Sequence, residues 1–301
     1  MKTLMKYLAA MLALLLAGPS FAALNILACE PEWAALAKEI GGDKVTASSA
    51  TTAMQDPHRI EARPSLIARA RNADLMVCTG AELEIGWLPL LLSQSGNAKI
   101  QPGAPGNFEA SKVARLIEVP TSVDRSMGDV HPYGNPHLHL DPSNIARVAA
   151  ALAERMAQLD SAHAALYRER TKGFLERWSQ ATARWEKEAA PLKGTPVVVY
   201  HKDNSYLLSW LGMREVGALE PKPGLPPSTA HLSDLLGQLA KNPAKVVIRS
   251  TYNDPRPAEF LSQRAKIPAV VLPYTVGGTD KAKDLFGLYD DTLARLLAGV
   301  K

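Results

Sequence analysis

LNILACEPEWAALAKEIGGDKVTAS, residues 24–48, decides how the rest of the chain is read. The apolar run Leu24 to Cys29 has the length of a buried strand, Glu32 to Ile40 is a helical candidate, and Val45 to Ser48 is a second short strand. A strand, a helix and a strand within so few residues form the unit of a parallel α/β sheet. Downstream, strands are expected at Leu75 to Cys78 and Leu116 to Val119, and helices at Pro64 to Arg71 and Gly86 to Leu92. Pro64 suits a first helical turn, where its missing N–H costs nothing. After residue 194 the alternation resumes. Strands are expected at Val197 to Tyr200, Glu215 to Leu219, Val246 to Arg249 and Val270 to Leu272, with helices at Ser205 to Leu211, Ser233 to Leu239, Ala258 to Arg264 and Lys281 to Ala298. The Pro-rich run Pro221 to Pro227 is expected to be a loop.

Upstream, Lys2 and Lys6, the apolar stretch Tyr7 to Ala17 and the small residues Ser20 and Ala22 read as a secretory signal cut between Ala22 and Ala23. Ile26-Leu27-Ala28-Cys29 loosely resembles a lipoprotein cleavage box, but the apolar segment ends well before Cys29. Removing residues 1–22 takes away two lysines and no acid, leaving 32 basic against 30 acidic residues. So balanced a chain is a poor nucleic-acid binder by electrostatics. About 280 mature residues suffice for two cores. Cys29 and Cys78 form an even pair in an oxidising compartment, where a disulfide or two buried thiols both remain open.

Between the two α/β halves, apolar residues recur at helical spacing through Ala149, Leu152, Met156, Leu159, Leu166, Phe174 and Trp178, with Asp141-Pro142 as a start signal. The division expected is 1–22 signal, 23–141 N-terminal lobe, 142–194 helical spine bent once around Asp160, and 195–301 C-terminal lobe. The fold class is α/β, two lobes joined by a long rigid helix, with a crevice where the carboxyl ends of both sheets face each other.

Seven histidines are present, and three are placed alike. His58 follows Asp56-Pro57 after the second strand, His137 follows Asn135-Pro136, and His201 directly follows Val197 to Tyr200. Open α/β sheets place ligands beyond strand carboxyl ends. Three neutral imidazoles and one carboxylate can form a closed tetrahedral zinc site.

Asp56-Pro57-His58, Asn135-Pro136-His137-Leu138-His139-Leu140-Asp141-Pro142, Tyr200-His201 and Gly277-Gly278-Thr279-Asp280 together resemble the metal-binding proteins of bacterial zinc and manganese ABC importers. The resemblance runs in order along nearly the whole mature chain, the central helical stretch included. It implies a periplasmic protein with a roughly four-stranded parallel sheet in each lobe and one buried Zn²⁺ held between the lobes by His58, His137, His201 and Asp280. Asp284, Asp290 and Asp291 compete with Asp280 for the carboxylate position. His139 stands where relatives commonly carry an aromatic residue, and is read as a neighbour of the site that could exchange with His137. Many zinc-importing relatives carry a long histidine-rich loop before the second ligand. Here Pro120 to Pro136 holds only His131, read as a loop residue, and His163 and His231 are read as surface residues.

The chain carries no phosphate-binding Gly-x-x-x-x-Gly-Lys-Ser/Thr loop. The ABC permease and ATPase are therefore expected to be separate partners, with a periplasmic metallochaperone as a further candidate and the chain itself a monomer. The rival readings are a secreted zinc hydrolase, for which there is no His-Glu-x-x-His segment, a receptor for an organic solute, and a manganese-binding member of the same family. Three imidazoles favour zinc over manganese, and affinity is expected to weaken as pH falls through roughly 6.5.

Overall fold

A computed structural model describes residues 23–122, 124 and 127–301. The expected signal segment lies outside the described residues. In the N-terminal half, strands β1 (Leu24–Ala28), β2 (Val45–Ser49), β3 (Leu75–Cys78) and β4 (Asn107–Glu109) form a sheet of order β2-β1-β3-β4. In the C-terminal half, β5 (Pro196–Val199), β6 (Arg214–Ala218), β7 (Val246–Ser250) and β8 (Ala269–Leu272) repeat that order as β6-β5-β7-β8. All pairs are parallel. Sheets covered on both faces need no polar alternation, which is why β1, β3, β5 and β7 read as apolar runs.

Helices α1 (Pro31–Gly41), α2 (Pro64–Arg71) and α3 (Leu88–Ser95) flank the first sheet. Helices α6 (Ser205–Leu211), α7 (Thr229–Leu239), α8 (Pro255–Ala265) and α9 (Leu285–Gly299) flank the second. Proline occupies the first turn of α1, α2, α3 and α8. Asp284 caps α9 by accepting from the Gly287 N–H at 2.7 Å, so Asp280 lies before that helix and does not cap it. Ala28 on β1 pairs with Val77 on β3, which sets Cys29 beside Cys78, and the two are joined in a disulfide. Of the two states left open, the bonded one is found, with Cys29 tied down at the end of a buried strand.

Two expectations are corrected. Leu116 to Val119 is not a strand; the fourth strand is Asn107–Glu109, whose only buried residue is Phe108. The segment after it is irregular. Arg115 N–H donates to Asn144 Oδ1 (2.8 Å), Ile117 N–H donates to the Tyr206 hydroxyl (3.2 Å), and Ile117 C=O accepts from Asn135 N–H (2.9 Å). Glu118 has a φ of 52°, outside any strand geometry. The central helical stretch, in turn, is not one bent rod. Helix α4 (Pro142–Leu159) reverses at Asp160–His163 and runs back along α5 (Ala164–Glu188). The contacts follow antiparallel order: Tyr167 with Asp160, Arg168 with Glu154, and Trp178 with the Pro142 carbonyl.

Helix α5 is the long element that joins the lobes. Its 25 residues span about 37 Å. Toward the first lobe, Arg170 donates to the carbonyls of Glu39 and Ile40 at the end of α1. Toward the second, Trp185 stacks on Tyr289 of α9 at 4.9 Å, and its indole N–H donates to Asp290 Oδ1 (2.6 Å). One apolar core runs through both sheets and these helices, from Leu24 to Leu296, and each sheet has a smaller separate core on its other face, around Leu27, Trp87 and Leu91 in the first half and Val198, Leu235 and Leu261 in the second. Among the described residues no helix is long and apolar enough to cross a membrane.

Candidate metal centre

His58, His137 and His201 meet in the crevice between the two sheets. One ring nitrogen from each lies within 4.8 Å of the others, and the ring centroids form a triangle with sides of 5.3, 5.3 and 5.5 Å. His58 is half-buried; His137 and His201 are buried.

Local structure aims each ring. Asp56 Oδ1 accepts from the His58 backbone N–H (3.0 Å) and lies 2.7 Å from His58 Nδ1. Asn135 Oδ1 accepts from the His137 N–H (2.9 Å), while its Nδ2 donates to the carbonyl of Lys202, the neighbour of His201 (2.8 Å). One asparagine thus fixes two of the histidines across the crevice. The Tyr274 hydroxyl sits 2.9 Å from His137 Nδ1, and Glu220 Oε2 sits 2.7 Å from His201 Nδ1. All three Nδ1 atoms are engaged, so Nε2 is the nitrogen left to face the centre. His137 Nε2 is buried and has no hydrogen-bond partner. A buried unpartnered nitrogen is costly, and an arriving cation relieves that cost.

The electrostatics are divided. Burial, reinforced by His58 and His201, holds the His137 imidazole well below its usual value and therefore neutral. Burial pushes His201 the same way, but the Glu220 hydrogen bond and the Asp203 and Glu220 charges outweigh it and raise the group. Clefts of about 180 and 240 Å³ flank His201 and lead to solvent.

The structure does not bring Asp280 to the three histidines. Asp280 is exposed on a turn closed by Gly277 N–H to Ala282 C=O (2.6 Å) and Ala282 N–H to Thr279 C=O (3.2 Å). The competing acids are engaged elsewhere: Asp284 caps α9, Asp290 pairs with Arg184, and Asp291 pairs with Arg295. His139 is buried outside the group, its Nε2 2.8 Å from the Tyr274 carbonyl and its Nδ1 3.3 Å from Glu32. It is a neighbour that supports the Tyr274 segment. His163 contacts Asp160, and His231 contacts the Ala218 carbonyl, both away from the crevice.

His131 is closer to the centre than a plain loop residue would be. Its Nε2 lies 3.3 Å from His58 Nε2, and the two rings stack at 5.3 Å. Burial, with the neighbouring His58 and His201, pushes His131 down to about 4. Sequence reasoning also passed over Glu220 and Tyr274. Both follow strand carboxyl ends, the rule that had picked out the histidines, and that rule could have found them.

The family described as "Zinc-uptake complex component A periplasmic" matches residues 26–299. The chain is 27% identical over 120 residues to the "High-affinity zinc uptake system protein ZnuA" of Brucella abortus (strain 2308), a match that covers 40% of this chain but only 36% of that relative. It is 22% identical over 298 residues to the protein of the same description from Paracoccus denitrificans (strain Pd 1222), covering 87% and 86% of the two chains. It is also 22% identical over 266 residues to the "Manganese ABC transporter substrate-binding lipoprotein scaA" of Streptococcus gordonii, covering 87% and 83%. Among solved structures, a "Crystal structure of ZnuA" superposes with a TM-score of 0.72 at 20% identity, covering 91% of this chain and 99% of that one. A Mn-bound periplasmic metal binding protein from candidatus liberibacter asiaticus superposes at 0.73 with 16% identity, covering 92% and 99%. With the family's pattern spanning nearly the whole described chain, the protein belongs to the family of the periplasmic zinc-uptake component A.

Proposed function

We propose that this chain captures one zinc ion outside the cytoplasm through His58, His137 and His201 and delivers it to the permease and ATPase subunits of an ABC importer. Residues 1–22 direct export and are cleaved off between Ala22 and Ala23, and the protein works as a monomer, loaded directly or by a periplasmic metallochaperone. The observation that carries the reading is the convergence of three imidazoles whose Nδ1 atoms are each held by a polar partner, together with the unpartnered Nε2 of His137. A ligating histidine whose other nitrogen is anchored to a carboxylate or hydroxyl has its tautomer and aim fixed before the metal arrives.

The choice of zinc over manganese rests on donor chemistry. Imidazole nitrogen in a compact cluster suits zinc's four-coordinate preference, whereas manganese favours more oxygen and a higher coordination number. The similarity to a manganese-named relative makes direct competition the appropriate experiment. Metal-free protein titrated with zinc against a chelator, with and without excess manganese, should take up one tight equivalent of zinc that manganese does not displace. Equal affinity for both metals would overturn the zinc assignment; two or more tight equivalents would overturn the single site.

A further inference from the structure

We propose that His131 supplies the fourth protein ligand of the bound metal, completing an all-imidazole shell with His58, His137 and His201; this rests on the metal-carrier reading above. Zinc–nitrogen bonds of about 2.0–2.1 Å in a tetrahedron set neighbouring ligand atoms about 3.3–3.4 Å apart. His131 Nε2 already stands 3.3 Å from His58 Nε2, at the length of one tetrahedron edge. The nitrogens of His58, His137 and His201, within 4.8 Å of one another, need only contract around the ion. His131 also shares the wall of one cleft with His137 and His201; it lies just outside the 4.8 Å group of His58, His137 and His201, and its ring moves inward to join them.

A second observation concerns what holds the His131 ring. Ala81 and Glu82 are consecutive non-glycine residues with φ of 51° and 66°, and their backbone favours the protonated His131 imidazole, against the effect of its burial. Non-glycine residues in this region are disfavoured and persist where the surrounding structure requires them. Asp56, Tyr274 and Glu220 face the other three rings. Three of the four histidines thus have a polar anchor, His131 is placed by its contact with His58, and Asp280 faces solvent.

An all-nitrogen shell leaves the ion's charge uncompensated by its direct ligands. Asp56 and Glu220, hydrogen-bonded behind His58 and His201, supply the compensating negative charge one bond further out. His58, His137 and His131 come from the chain before residue 142 and His201 alone from the second lobe, so capture is organised on the first lobe. Such a shell also discriminates against manganese more strongly than three nitrogens and an oxygen would.

X-ray absorption at the zinc edge counts imidazoles directly and is paired with chelator competition, using zinc alone as the probe. The native protein should show four imidazole nitrogens. His131→Ala should show three imidazoles and one oxygen donor, with zinc affinity reduced about tenfold or more and thermal unfolding of the metal-free protein unchanged. Asp280→Ala should leave both readouts as in the native protein. Three imidazoles in the native protein, or an Asp280→Ala variant that loses affinity while His131→Ala does not, overturns the assignment of His131. Failure of the carrier reading looks different: zinc would bind weakly to the native protein, or His201→Ala would bind it as well as the native protein does.

Discussion

Tyr274 reaches two of the buried histidines at once. Its hydroxyl is 2.9 Å from His137 Nδ1, and its carbonyl is 2.8 Å from His139 Nε2. Tyr274→Phe removes the anchor without disturbing the packing, and zinc affinity should fall roughly 10–100-fold, the usual effect of losing an outer-shell partner. Chelator competition measures this, and an unchanged affinity would show that His137 needs no such support. His201→Glu exchanges a nitrogen for an oxygen, so it should weaken zinc and narrow the preference over manganese in the same assay. At this scale the sequence was partly legible. His58 and His201 could be picked out because each lies beyond a strand's carboxyl end, whereas His137 was picked out after Leu116 to Val119, which is not a strand. The contribution of His131 was not legible, since a single histidine in a short loop carries no periodic or positional signal. Only folding places it 3.3 Å from His58.

The elements carry their own tests, clearest behind the Cys29–Cys78 disulfide, where β1 and β3 end. Glu30 and Glu84 are buried together there. Glu84 accepts from the backbone N–H of Thr79 (2.7 Å), and burial pushes its carboxyl up to about 7. Burial raises Glu30 as well, helped by the charges of Glu84 and Glu32. A carboxyl with a raised folded value stabilises the fold below its unfolded value of 4.5 and loses that contribution as pH rises through about 7. The stability difference between native protein and Glu84→Gln, both metal-free, should therefore shift toward the variant between pH 5 and 8. Urea unfolding at the two pH values measures it, and a pH-independent difference would remove the raised carboxyl. Replacing both cysteines by alanine should cost about 2–4 kcal/mol in the same assay. Most elements were readable because buried parallel strands are apolar throughout. Strand β4 was not, because Phe108 is its one buried side chain. The α4–α5 reversal was hidden as well: periodicity marks which face of a helix is buried but not the direction of the next helix. Asp160, held by His163 and Tyr167, turns the chain instead of bending it.

On the scale of the whole molecule, the two sheets have the same strand order, a common core lies between them beside a smaller one in each half, and α5 fastens to both lobes. Cross-lobe bonds converge on the crevice itself: Asn135 to Lys202, Thr251 to Ala53, and Thr275 to Glu32. Metal binding should accordingly proceed by local shifts of side chains and loops, with no wide closure, and X-ray scattering should give the same radius of gyration with and without zinc. A large compaction would contradict the stiff connection. Trp185→Ala, which removes the stacking on Tyr289 and the bond to Asp290, should destabilise the protein by about 3–5 kcal/mol. The central claim, that the crevice histidines hold the ion, is tested most directly by anomalous diffraction at the zinc edge from crystals of the zinc-loaded protein. One peak is expected, about 2.0–2.1 Å from Nε2 of His58, His137 and His201. A peak outside the crevice, or one bonded to fewer than these three nitrogens, would contradict it.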